Sequence, residues 1–325
     1  MTDLCTRRAL LAAGVAASGW LPLATRAQGA WPQKPIRLIV PFGPGASTDT
    51  VARFVAAKLA IRLGQPVVVE NKVGAGGIVG TTYVAAQPAD GHTLLFQSRP
   101  YTTAPLLKAA PPYDPLRDLQ PVGLVGSGPF MIVIGNDLPA TSLREFIALA
   151  RTRSLSYGSA GVGTINHLGG ELFNHLAEVK LLHVPYSGLG PAISDFLGGR
   201  TQMLVASFPA ALPHVRAGRM RALAVTGSER SALVPDLPTA IEAGLPGYLV
   251  DSWWGVLGPQ SLPLPIVQRV NQELNAILAT PEAGELLSRD GARPRPGSPD
   301  DFARVIGSEV PRWRQLIQAA HITAE

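Results

Sequence analysis

The stretch Pro35-Ile36-Arg37-Leu38-Ile39-Val40-Pro41-Phe42-Gly43-Pro44-Gly45-Ala46-Ser47-Thr48-Asp49 decides the fold class of this chain. Ile36 to Val40 is a short apolar run, and the prolines and glycines after it mark the end of a strand. From Asp49 to Leu63 the apolar residues Val51, Phe54, Val55, Leu59 and Leu63 recur at helical spacing. Strand, glycine loop and amphipathic helix form one half of a βαβ unit.

Outward from this stretch the unit repeats. Val67 to Glu70 reads as a strand, Gly74 to Gly80 as a glycine loop, Thr81 to Gln87 as a short helix and Thr93 to Gln97 as a further strand. Two more apolar runs, Val122 to Val125 and Phe130 to Ile134, flank an expected crossing between domains near Gly126 to Pro129. A second series follows: helix Ser142 to Arg151, strand Leu155 to Gly158, loop Ser159 to Gly163, helix Ile165 to Leu176, strand Lys180 to Val184, helix Pro191 to Leu197 and strands Met203 to Ala206 and Ala222 to Thr226. The chain is expected to return near Asp251, with helices Pro265 to Ala279 and Asp300 to Ala319 packing back on the first domain. The expected fold is therefore α/β, in two domains with a ligand cleft between two mostly parallel sheets. Domain I comprises 28–127 and 252–325, and domain II comprises 128–251.

Residues 1–27 read as an export signal. Arg7 and Arg8 precede an apolar stretch from Ala9 to Ala24, and small residues lead to Ala27. The stretch is interrupted by Gly14, Gly19 and Pro22 and is too short to span a bilayer, which favours cleavage over a membrane anchor. Thr6-Arg7-Arg8 also resembles a twin-arginine signal, so the export route stays open. Cys5, the sole cysteine, leaves with the signal, and disulfide and thiolate chemistry leave with it. Three basic residues and one acidic residue depart too, so the net charge of +5 falls to about +3 with the basic residues scattered. Nothing in that pattern suggests nucleic acid.

Three loops share one design, in which a strand ends, small residues follow and a helix begins. They are Pro41 to Thr48, Gly74 to Gly77 and Ser159 to Thr164. The first turn of a helix leaves N–H groups unpaired and carries partial positive charge, so it receives a carboxylate without needing Arg or Lys. Taken singly, Ser47, Thr48 and Thr164 are explained as N-caps and the glycines as turn residues. Three such loops at strand carboxyl ends, in both expected halves, point instead to a cleft that closes on an anion.

The chain resembles the substrate-binding receptors of tripartite tricarboxylate transporters, often called Bug-type receptors. The resemblance rests on Pro35 to Phe42 with Asp49 and Ala52-Arg53, on Val69-Glu70-Asn71-Lys72 with Gly74 to Gly77, and on Ala89-Asp90-Gly91. It continues through Tyr157 to Gly161, His167-Leu168, His183-Val184-Pro185-Tyr186, Arg221 to Val225, Asp236 to Thr239 and Ser252-Trp253-Trp254-Gly255, and so covers essentially the whole mature chain. It implies a two-domain periplasmic binding protein, type II-like, that takes a small organic acid, a di- or tricarboxylate or an acidic amino acid, and delivers it to membrane transporter subunits. It also implies carboxylate-holding loops at Ser47, Thr48 and Asp49, at Ala75, Gly76 and Gly77, and at Ser159, Gly163 and Thr164. Phe42, Ser98, His167, Tyr186, Ser207 and Trp253 complete the expected ligand contacts.

The chain departs from that pattern at Gly45-Ala46-Ser47, Ile78 and Ser187, and at Ser98-Arg99-Pro100-Tyr101, where small residues and a nearby His are usual. Arg99 would either grip an anionic ligand bidentately or answer a nearby carboxylate. Asp49 at a first helical turn is expected to support its loop, and His167 to reach back to the cap near Thr164. Of Trp253 and Trp254, at least one is expected to be core.

Enzyme readings are weaker. The six histidines show no metal spacing, and Tyr157 stands where a hydrolase elbow needs glycine. An NADP-dependent oxidoreductase would use Gly74 to Gly77 and Arg99, but the loop lacks the GxGxxG spacing. The reading is therefore a receptor that is not an enzyme, with no cofactor and no metal, expected to act as a monomer. An exported sensor using the same cleft is the alternative.

Overall fold

The computed structural model describes residues 31–322; the expected signal 1–27, with Cys5, lies outside them. In chain order the elements are β1 (Ile36–Val40), α1 (Ser47–Leu63), β2 (Val67–Asn71), α2 (Ile78–Ala85), β3 (Thr93–Ser98), α3 (Pro100–Thr103) and β4 (Leu119–Ile134). Then come α4 (Leu143–Thr152), β5 (Ser156–Ser159), α5 (Ile165–Ala177), β6 (Leu182–Pro185), α6 (Leu189–Leu197), β7 (Met203–Ser207), α7 (Phe208–Arg216) and β8 (Arg221–Val225). The chain ends with β9 (Asp251–Pro259), α8 (Leu264–Leu278), α9 (Pro281–Ser288), β10 (Arg293–Pro294) and α10 (Pro299–Ala319).

Two parallel triplets anchor two lobes. β1 lies between β2 and β3 in the first lobe, and β5 lies between β6 and β7 in the second. The expectation of mostly parallel sheets needs correction between them, because β9 runs antiparallel to β3 and β4, and β4 runs antiparallel to β7 and β8. The cause is topological: one strand carries the chain out and another carries it back, so the two crossing strands must oppose each other. β4 pairs with β9 as far as Pro129 opposite Asp251, then takes β7 as partner from Phe130 opposite Ser207.

The two apolar runs expected as separate strands are thus one 16-residue strand. Its glycines look like a break in sequence but mark close approach. A Cβ on Gly128 would stand 2.7 Å from Ala292, and one on Gly126 would stand 2.9 Å from Leu287.

Apolar cores cover both faces of each sheet. Leu38, Val55, Phe96 and Val270 mark one core of the first lobe, while Phe146, Leu168, Phe173 and Tyr248 mark one core of the second. α8 packs on the first lobe as expected, through Val267, Val270 and Leu274. α10 does not stay there. Phe302, Ile306 and Val310 enter a first-lobe core, but Trp313, Leu316 and Ile317 enter a core of the second. The apolar stripe of α10 simply outruns the lobe it starts on, and Pro311, which has no N–H to give the helix, sits at the change of lobe.

Candidate functional site

The loop before α1 is built around Asp49. Its buried carboxylate accepts from Gly45 N–H at 2.9 Å, Arg53 Nε at 2.9 Å and Asn71 Nδ2 at 2.7 Å. Burial would raise its pKa, but these donors outweigh burial and hold it below the ordinary aspartate value. Asn71 also donates to the Phe42 carbonyl, so β2 fixes both ends of the loop. Asp49 thereby ties the loop down, as its place in the first turn suggested. Ser47 is exposed and its hydroxyl donates to Asp290 at 2.5 Å. Thr48 is buried, donates to Ser98 at 3.4 Å and accepts from Trp254 Nε1 at 3.3 Å.

The loop before α5 is built from neutral groups. His167 Nδ1 accepts from Gly163 N–H at 2.9 Å, and the His167 ring stacks on His183 with centroids 3.8 Å apart. Nε2 of His183 lies 2.7 Å from Ser159 Oγ, which in turn accepts from Gly161 N–H. Burial pushes both imidazoles down to about 4, and the stacked His183 further disfavours the charged form of His167. Thr164 donates its hydroxyl to Gly161 O. The N–H groups of Ile165, Asn166 and His167 precede the first bond of the helix, Leu168 N–H to Thr164 O, and so face out of its end.

The third loop is tighter than expected. Ala75 to Gly77 form a single turn and α2 starts at Ile78, three residues early. Ala75, Gly76 and Gly77 all have positive φ, of 46°, 66° and 99°. A Cβ at Gly77 would stand 2.9 Å from the amide of Gln97, so backbone alone can fill this corner.

These parts meet at a cavity of about 440 Å³. Of the expected contacts, Ala75, Gly76, Ser98, Arg99, Gly163 and Thr164 line it. Phe42, Ser47, Thr48, Asp49, Gly77, Ser159 and His167 lie outside that lining, in the loops that carry it. Three further expected contacts, Tyr186, Ser207 and Trp253, are also absent from the lining. Tyr186 donates its hydroxyl to Asp195 on α6 at 3.0 Å. Ser207 ends β7 at the start of α7. Trp253 is buried against Phe302 and Tyr101 and donates to Glu309 at 3.1 Å. Strand alternation is the reason for the last: it sends Trp253 toward α10 and leaves Ser252 facing the cavity and Trp254 reaching Thr48.

Arg99 is 3% exposed and forms an ion pair with Glu309 at 2.7 Å. Its charge is therefore already answered, although its side chain still walls the cavity. Sequence reasoning missed Thr103, Leu107, Lys108, Ile165 and Ser252, all of which line the cavity. The first three belong to α3 and the turn after it, a segment whose Pro100 and Pro105 conceal helical geometry. Ser252 alone carried a usable signal, since it alternates with the tryptophan that was singled out. Among the described residues, no three His, Cys, Asp or Glu side chains converge as metal ligands.

Residues 51–322 match the family described as tripartite tricarboxylate transporter family receptor. Protein BugT of Bordetella pertussis is 38% identical over 292 residues, which is 89% of this chain and 90% of that protein. Among solved structures, an R. palustris protein with adipate has 36% identity and a TM-score of 0.75, covering 90% of this chain and 99% of its own. MatC from Rhodopseudomonas palustris with bound malate has 34% identity and a TM-score of 0.71, covering 88% and 99%. The lobes, the crossing strands and the glycine loops agree with that assignment, and this chain belongs to the tripartite tricarboxylate transporter receptor family.

Proposed function

We propose that the chain is a periplasmic receptor, not an enzyme, that captures one small organic carboxylate between its lobes and delivers it to tripartite membrane transporter subunits. The observation that carries this reading is the cavity itself. Gly163 and Thr164, at the amino end of α5, face Ala75, Gly76 and Ser98 across it, with Ser252 of a crossing strand between. A carboxylate there would meet unpaired N–H groups and the positive end of a helix dipole, which need no ionic partner. The adipate and malate in the related structures support a di- or tricarboxylate or an acidic amino acid as its ligand.

In this reading domain I comprises 28–127 and 252–325, domain II comprises 128–251, the signal 1–27 is removed, and the receptor works as a monomer. The exchange of partners by β4 at Pro129 and Phe130 supports those boundaries. No helix among the described residues is long and apolar enough to cross a membrane. A thermal-shift screen with dicarboxylates, tricarboxylates, acidic amino acids and NADP tests the proposal. A ligand at 100 times its Kd stabilises by about 2.7 kcal/mol, so one acid class should raise Tm by several degrees while NADP leaves it unmoved. A response to NADP alone would replace the receptor with an oxidoreductase.

A further inference from the structure

β9 separates two cavities. Ser252 faces the one described above, whereas its neighbours Asp251 and Trp253 point the other way and line a second cavity of about 420 Å³. This second space lies behind the crossing strands, and its charged wall consists of Arg99, Arg295 and Arg312 against Asp251 and Glu309. Ser127 of β4 and Ser228 after β8 add hydroxyls.

The charges are not mutually satisfied. Glu309 is fully engaged, with one oxygen on Arg99 and the other accepting from Thr102 and Trp253 at 3.1 Å each. By contrast, Arg99 Nε, Arg312 Nε and Asp251 Oδ1 are buried without a hydrogen-bond partner, and Arg99 Nη1 meets Glu309 as an ion pair whose angle is too poor for a hydrogen bond. Arg312 rests on the ring of Trp313 at 4.7 Å and points no donor at either acid. The wall therefore offers guanidinium donors in excess of carboxylates, together with one unused acceptor. An isolated buried acceptor and several buried donors are costly unless one ligand serves both. A sulfate has oxygens for the donors but no hydrogen for Asp251. Hydrogen phosphate has both.

We propose that this second cavity binds hydrogen phosphate, with Arg295, Arg312 and Arg99 Nε donating to its oxygens and Asp251 accepting its P–OH hydrogen. The site shares only Arg99 with the lining of the carboxylate cavity and does not depend on the receptor reading of that cavity.

Calorimetric titration of the mature protein in phosphate-free, sulfate-free buffer tests it with inorganic phosphate and sulfate. Phosphate is expected to give a saturable one-site isotherm and sulfate to bind at least about tenfold more weakly, because it sets an oxygen against the carboxylate. Arg312→Gln and Arg295→Gln should each weaken phosphate by about tenfold or more, through loss of a charge-assisted donor. Asp251→Asn, which keeps the volume and supplies an N–H, should bring sulfate level with phosphate. It keeps the test decisive if an arginine variant melts early. Thr164→Ala, in the other cavity, should leave the phosphate isotherm as it was. Absence of saturable phosphate binding, equal binding of the two anions by the wild-type protein, or loss of phosphate binding in Thr164→Ala instead of the arginine variants would each overturn the proposal.

Discussion

Before α1 the chain turns through Gly43 to Ala46 and is held by an ionised carboxylate; before α5 it turns through Gly161 to Thr164 and is held by an uncharged imidazole. Both loops end a parallel strand, open a helix and present small residues, and in sequence they look alike. Asp49 accepts from one backbone N–H, one guanidinium and one amide. His167 accepts from one backbone N–H and stacks on a second imidazole. The lesson is that a helix end can be preorganised for an anion with either kind of acceptor behind it, but the two answer differently to pH. A carboxylate held below its ordinary pKa stays charged throughout the neutral range. An imidazole pair held near 4 is a weakness on the acid side.

The sharpest way to break this comparison is to remove the carboxylate. Asp49→Ala removes a buried carboxylate that accepts three hydrogen bonds, so denaturant titration should show a loss of about 3 kcal/mol. A loss below about 1 kcal/mol would mean the loop holds without its acid.

The next test is acidification. Unfolded imidazoles take up protons below about 6.5, while the native pair stays neutral until about 4. In that window the unfolded chain binds more protons, so stability falls as pH falls. His167, the more buried of the two, should account for about 2 to 3 kcal/mol between pH 7 and pH 4. Asp251 works in the opposite sense. Burial, partly offset by Arg99, pushes its carboxyl up to about 6, so the native state takes up that proton first and gains stability between about 6 and the ordinary aspartate value. Asp251→Asn should therefore steepen the acid loss, and His167→Gln should flatten it.

Smaller effects probe where the two loops face each other. Gly163 has φ of 76°, and a Cβ there would collide with Leu107 of the first lobe. Gly163→Ala should cost about 1 to 2 kcal/mol of stability and weaken carboxylate binding. Ser252→Ala removes one hydroxyl from the cavity wall, and calorimetry should show affinity reduced by about fivefold. No change in affinity would remove the crossing strand from the carboxylate site.

The alternation of apolar runs with helical patterns made most of the fold legible, including β1, α1, β3 and α5. Proline hid the rest. Pro100, Pro209, Pro281 and Pro299 all stand in the first turn of real helices, where a missing N–H costs nothing, and only α10 among these was anticipated. The site divides in a similar way. Residues whose contribution is backbone, such as Gly163 and Ala75, were visible because glycine-rich loops announce themselves. Residues that contribute a side chain from a distant element were not, because Lys108 and Leu107 reach the cavity only through the packing of the turn after α3. Arg99 was ambiguous in principle: a carboxylate two hundred residues away decides its partner, and no local pattern carries that information.

The passage of α10 from one lobe to the other has a consequence for how the protein is made. Every strand of the second lobe has been synthesised once β8 is complete, yet Trp313, Leu316 and Ile317, which fill its core, come from the last helix. A chain growing from its amino terminus cannot close that core until α10 has been made. Ribosome-bound chains ending before residue 313 should remain open to protease in the second lobe, and release of the full chain should close it.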